Sequence, residues 1–252
     1  MTDIHSHILF GVDDGSRSIE ESISLLKKLK SVGFDKVILT PHFIMDSTYN
    51  STYEDNYYRY RTLKDKVKEL SLGMDIYLGN ELFIHEKLGE LLDNYVVSSL
   101  NDTGYVLVEF PFHNKILNLE NIFDTIQSHG YRVIIAHPER YDFFQENYSL
   151  VDDLRKNGFL FQSNYSSIIG GYGKESEKLI KYISKYFNNK IDFFFPKYLY
   201  YENYTWQEFV KQKECYSLEE VHRYYYRSGI YLGIFYILST VDIHYENMIS
   251  HG

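Results

Sequence analysis

Two histidines two residues apart open the chain, in Asp3-Ile4-His5-Ser6-His7. In an extended segment such a pair projects to one face, and neutral imidazoles on one face can share a divalent cation. Alone, such a pair is more often two solvent-facing side chains on a strand than a metal site. Later segments of the chain add residues of the same kind. Asp14 comes shortly after; His42 follows Thr40-Pro41; Glu81 stands in Gly79-Asn80-Glu81; Glu109 closes the run YVLVEF; His137 opens HPER. A carboxylate closing an apolar run such as VLVEF is expensive to bury unless it is paired or bound to a cation. All these donors are N or O, a set that suits Mn, Fe, Zn or Mg.

The segments that carry these residues alternate short apolar runs with polar helical stretches. The runs are 2–8, 36–40, 75–78, 105–110, 131–136, 158–162 and 191–195. Helices are expected at 18–32, 52–71, 117–129, 148–157 and 174–188, the first capped by Ser18 with Glu21 at the reciprocal position and ended by Gly33. Strands alternating with helices at this spacing predict parallel pairing, and seven units predict a closed α/β barrel. In such a barrel the C-terminal ends of the strands share one rim, where active sites form. Five successive runs ending in His or Glu therefore deliver their side chains to one place. The remaining histidines, His85, His113, His129, His222 and His251, have no such context and are left out of the site.

Composition narrows the classes. The chain has 252 residues with 44% hydrophobic side chains, enough for a large core in one α/β barrel domain. No apolar stretch is long enough to span a bilayer, the closest being 229–238, and no signal-peptide pattern opens the sequence. A net charge of −9 argues against nucleic-acid binding. A single cysteine excludes an internal disulfide and points to a reducing cytoplasm. Cys215 is followed six residues later by Val221 rather than Arg, so a cysteine-based phosphatase loop is excluded.

The opening block MTDIHSHILFGVDDGSRSIEESISLLKKLKSVGFDKVILTPH resembles that of the bacterial protein-tyrosine phosphatases of the PHP (polymerase and histidinol phosphatase) superfamily, the CpsB/YwqE type linked to capsule and exopolysaccharide regulation. The blocks GNELF, YVLVEFPF, GYRVIIAHPERY and GFLFQSNYSSIIGGYGKESEKLIKY resemble the same family in the same order, covering about residues 1–193. The resemblance implies a distorted TIM-like (β/α)7 barrel. It implies metal-dependent hydrolysis of phosphotyrosine in proteins, with two or three divalent ions, manganese foremost, activating a water for attack on phosphorus. At the matching positions His5, His7, Asp14, His42, Glu81, Glu109 and His137 are metal ligands, Glu81 or Glu109 bridging, and Arg140 contacts the substrate phosphate. The partner it implies is the Tyr-rich tail of a bacterial tyrosine autokinase.

The C-terminal fifth departs from that pattern. In the family, a strand like Ile191-Asp192-Phe193 leads straight into a Ser/Thr-Asp-x-His motif that supplies the last two ligands. Here it leads into Pro196-Lys197-Tyr198, and a similar motif appears only at Ser239-Thr240-Val241-Asp242-Ile243-His244. Residues 196–229 are accordingly read as an insertion, with helices at Trp206–Cys215 and Leu218–Arg227, and Asp242 and His244 as the displaced ligand pair. The competing reading is a degenerate C-terminus on a barrel that has lost turnover and serves as a binding or regulatory module. A third is a PHP hydrolase of small phosphate esters.

Overall fold

The computed structural model describes residues 1–113, 119–168, 171–184, 198–200, 205–207 and 217–222. The chain divides into two compact units, Met1–Ile183 and Ser184–Gly252.

The first unit is built from parallel strands in sequence order. β1 (Thr2–Asp3) pairs with β2 (Lys36–Leu39), and β2 with β4 (Asp75–Leu78). A second ladder runs through β3 (His42–Phe43), β5 (Glu81–Phe83), β6 (Tyr105–Glu109), β7 (Arg132–Ala136) and β8 (Leu160–Gln162), again wholly parallel. β2 and β3 are two halves of one predicted run, parted by Thr40-Pro41; Gly79-Asn80 part β4 from β5 in the same way. Asn80 bridges the break, its Nδ2 donating to the Pro41 carbonyl and its Oδ1 accepting from the backbone and hydroxyl of Ser98. Gly79 admits Leu100, whose Cα would lie 3.1 Å from any Cβ there.

The helices begin where the chain supplies caps. Ser18 accepts the Glu21 N–H at the start of α1 (Ile19–Ser31), and Thr52 accepts the Asp55 N–H at the start of α2 (Tyr53–Glu69). In α2 the buried side chains Asn56, Tyr60, Leu63 and Val67 form one stripe at helical spacing. Shorter helices complete the unit: α3 (Leu88–Asp93), α4 (Leu119–Ser128), α5 (Asp142–Glu146), α6 (Tyr148–Lys156), α7 (Tyr165–Ile168) and α8 (Lys174–Ser184).

Strand alternation separates two kinds of core. Val106, Val108, Val133 and Ile135 face the helices, against Phe123, Ile126, Phe144 and Leu154. Leu107, Ile134 and Ala136 point the other way and pack with Leu100 and Ile38 inside the sheet's curve. With a period of two, Glu109 lies on the same side as Leu107, at the end of that inner row.

Two local expectations are revised, and a further group falls on residues the structure does not describe. Only Thr2–Asp3 of the first run are strand; beyond them Ser6 turns its backbone N–H to the Thr40 hydroxyl and its own hydroxyl to the Ile38 carbonyl. Trp206 does not begin a helix. Thr205–Gln207 is a strand, antiparallel to Tyr198–Tyr200, as its β-branched and aromatic residues favour. The seventh run (191–195), most of the 196–229 segment, and both Asp242 and His244 lie outside the described residues.

Glu109 is held in place from behind. The N–H of Phe110 donates to the hydroxyl of Tyr141, which is fully buried. Tyr141→Phe removes that acceptor and leaves a buried N–H unpaired, which costs about 1–3 kcal/mol. Urea unfolding should show that loss as a lower midpoint with an unchanged slope.

Candidate metal centre

Glu81 is the meeting point. Its carboxylate is completely buried, and four imidazoles surround it. Oε2 lies 3.0 Å from His5 Nε2, 3.1 Å from His7 Nε2 and 3.2 Å from His42 Nδ1. Oε1 lies 2.9 Å from His137 Nε2. Glu109 joins through Oε1, 2.8 Å from His42 Nδ1. Asp14, mostly exposed, approaches His42 Nε2 at 3.7 Å from the solvent side. All seven of these sequence-predicted side chains thus gather at one end of the parallel strands. Three overlapping sets have ligand atoms within 4.8 Å of one another: His5, His7 and Glu81; His7, Asp14 and His42; His42, Glu81 and Glu109.

Local backbone explains the convergence. Gly15 packs so tightly on His7 that a Cβ there would collide with the His7 carbonyl. Ser16 then donates its N–H to that carbonyl, closing the Asp13-Asp14-Gly15 turn over the pair. His137 sits in the left-handed region at φ 30°, ψ 57°, a strained conformation for a side-chain-bearing residue and one that concentrates at functional sites.

The electrostatics are those of a cation site. Burial would raise the Glu81 pKa, yet the imidazoles of His137, His5 and His7 against it hold it far below the usual carboxylate range. Burial disfavours charge on His7, but Asp13 and Glu81 overcome that and push it up to about 10. His42 is raised too, its burial outweighed by Glu109 and Glu81. Among the described residues His137 Nδ1 is buried without a partner, and the close contacts of Glu81 Oε2, Glu109 Oε1 and His42 Nδ1 do not have hydrogen-bond geometry. Close-set N and O donors with unused lone pairs fit divalent cations.

Residues 1–194 match the family described as "Capsular polysaccharide synthesis, CpsB/CapC". The chain belongs to this family. The putative tyrosine-protein phosphatase CapC of Staphylococcus aureus is 35% identical over 179 residues, spanning 71% of this chain and 70% of that protein. A solved structure from a study of YwqE from Bacillus subtilis and CpsB from Streptococcus pneumoniae, described as metal-dependent tyrosine phosphatases, superposes with a TM-score of 0.69. It is 30% identical, over 73% of this chain and 74% of that one. The fold is therefore the distorted TIM-like barrel of the PHP type. Residues 173–252 match a second family, "Domain of unknown function (DUF4135)". The lacticin 481/lactococcin biosynthesis protein LcnDR2 of Lactococcus lactis is 34% identical over 93 residues, 37% of this chain and 9% of that protein.

In this CpsB/CapC chain the structure adds residues that ligand-type reasoning passed over. Asp13, not Asp14, stands behind His7: its fully buried Oδ2 is 2.8 Å from His7 Nδ1 and also accepts the His42 N–H. Burial works against its charge, but these bonds and the Gly15 N–H hold its pKa below the usual value. Gln162, at the end of β8, places Oε1 2.7 Å from His5 Nδ1 while its Nε2 donates to Asn164. Each partner puts the proton on Nδ1 and leaves Nε2 to face Glu81, fixing the tautomer a metal ligand needs. In sequence Asp13 is one of two adjacent acids, and Gln162 is not a ligand type; only the partner across the fold distinguishes them. Of the histidines set aside, His113 pairs with Asp142 and His129 with Asp93, while His251 lies outside the described residues.

An outer-shell partner of this kind is worth 10–100-fold in metal affinity, by order of magnitude. Asp13→Asn should weaken divalent binding by about that factor in a calorimetric titration, while its circular dichroism stays that of the parent.

Proposed function

We propose that this chain is a metal-dependent protein-tyrosine phosphatase of the CpsB/CapC type, acting in the cytoplasm to regulate polysaccharide synthesis. Its metal centre is assigned to His5, His7, Asp14, His42, Glu81, Glu109 and His137, which would hold two or three divalent ions, manganese first. The observation that carries the reading is the buried Glu81 carboxylate with four imidazoles on its two oxygens. No single ion needs so many donors, and the three overlapping ligand sets share His7, His42 and Glu81.

Divalent ions at such a site supply Lewis acidity, neutralising phosphoryl oxygens and lowering the pKa of water. The chain's own residues do the rest. Asp13 and Gln162 keep His7 and His5 in one tautomer. Tyr49 stacks on His42 at 5.9 Å and limits how far that ring can turn. Arg140 offers a fork of N–H groups to two phosphoryl oxygens, and binding there orients the ester for displacement of the phenolate. The substrate we assign is a phosphotyrosine protein, the Tyr-rich tail of a bacterial tyrosine autokinase.

Arg140→Lys keeps the charge but loses the fork. Turnover of a phosphotyrosine peptide should fall by about 10–100-fold, equivalent to about 1.4–2.7 kcal/mol, with metal content unchanged. Equal kinetics in the two proteins would contradict the assignment.

A second reading rests on the DUF4135 match over residues 173–252. Where the chain follows another family, the barrel can lack its last ligand pair and act as a binding or regulatory module. On the active reading Asp242 and His244 complete the ligand set. Asp242→Ala combined with His244→Ala then removes at least one ion and most activity. On the second reading the double variant matches a parent that is itself metal-poor and nearly inactive.

A further inference from the structure

The guanidinium of Arg140 lies against two aromatic rings, its carbon 4.4 Å from the centre of Phe112 and 4.6 Å from that of Tyr172. Its neighbours in sequence do not neutralise it. Glu139 turns inward to the Asn164 N–H and the Ser167 hydroxyl, and Asp142 pairs with His113. Among the described residues Arg140 makes no ion pair. Rings and carboxylates hold an arginine differently. A carboxylate occupies the N–H edge and cancels the charge. Rings hold the cation without taking up its N–H groups or cancelling its charge, and leave both free for an anion.

The stack is tied to the metal centre and built with care. The Phe112 ring is 6.0 Å from that of His137, and the Arg140 N–H donates to the His137 carbonyl. Tyr172 is placed by glycines: a Cβ on Gly171 would come within 2.9 Å of the Ser166 carbonyl, and Gly173 has φ +89°. The Tyr172 carbonyl accepts from Ser176, whose hydroxyl accepts from Gln145, which also donates to the Glu139 carbonyl. Tyr172 nevertheless remains 44% exposed, so a ring edge faces solvent beside the arginine.

We propose that Phe112 and Tyr172 form, with Arg140, a clamp for aryl phosphates. The rings set the plane of the guanidinium so that its fork closes on the phosphoryl group with little loss of freedom. The exposed edge of Tyr172 packs against the phenyl ring of the substrate and favours phosphotyrosine over phosphoserine. The two rings are positioning and specificity residues; they hold no ion and exchange no proton. This rests on the phosphatase reading above.

The test compares the manganese-loaded parent with Tyr172→Phe, Tyr172→Leu and Phe112→Leu. Three quantities are read: kinetics on matched phosphotyrosine and phosphoserine peptides, competitive inhibition by inorganic phosphate, and metal content. Tyr172→Leu and Phe112→Leu should each raise KM for the phosphotyrosine peptide and the phosphate inhibition constant about tenfold, with kcat and metal content near the parent's. Tyr172→Leu should also narrow the preference for phosphotyrosine, and Tyr172→Phe, which keeps the ring, should behave as the parent. An unchanged KM and inhibition constant in Tyr172→Leu would overturn the clamp, as would a loss explained by lost metal. If the metal-loaded parent turns over neither peptide, the phosphatase reading fails and calorimetric binding of inorganic phosphate judges the clamp alone. Weaker binding in Tyr172→Leu but not Tyr172→Phe then supports it; equal binding, or none in the parent, overturns it.

Discussion

The structure depends on a buried negative charge. Glu81 is sealed from solvent at the start of a short central strand, where an uncompensated carboxylate would cost several kcal/mol after relaxation. Among the described residues compensation comes from side chains far apart in sequence: His5 and His7 near the N-terminus, His42 from the neighbouring strand, His137 from beyond β7. No local segment can satisfy Glu81 alone. The parallel order of the strands brings those residues to it, and replacing Glu81 would leave four imidazoles facing one another. The inner row of Leu107, Ile134 and Ala136 forms the apolar floor beneath this polar layer.

The breaks in the strands serve the same end. Ladder geometry would keep β2–β3 and β4–β5 straight, but Pro41 has no N–H to donate, and Gly79 makes room for Leu100. Asn80 carries the hydrogen bonding across the gap. The ends of those strands can then re-aim, and they do so where His42 and Glu81 must meet. The register confirms it: His42 lies directly opposite Glu81 in the parallel pair.

Much of this was legible in the sequence because it is written in short-range periodicity. Apolar runs ending in His or Glu, with the cap at Ser18, locate the strands, the helices and the rim without any long-range information. The helix ends moved by only a few residues. What could not be read is what depends on a partner across the fold. Nothing in Asp13-Asp14 says which acid stands behind His7 and which faces solvent. Gln162 and Phe112 belong to ordinary strand and loop types until His5 and Arg140 lie beside them. The strand at Thr205–Gln207 was missed for another reason: one short segment of mixed period suits either structure until its antiparallel partner is known.

Family matches to two different groups meet within this chain, CpsB/CapC over 1–194 and DUF4135 over 173–252, and all the described donors fall in the first. The central claim is that cations replace protons at Glu81. His7, raised to about 10, holds its proton at neutral pH when no ion is bound, so an ion binding there must displace it. The direct measurement is calorimetric titration of the metal-free chain with manganese at pH 7, in buffers of different ionisation enthalpy, beside Glu81→Gln. The account predicts tight binding with net proton release in the parent, strongly weakened in the variant. Binding without proton release, or equal binding in both proteins, would contradict it.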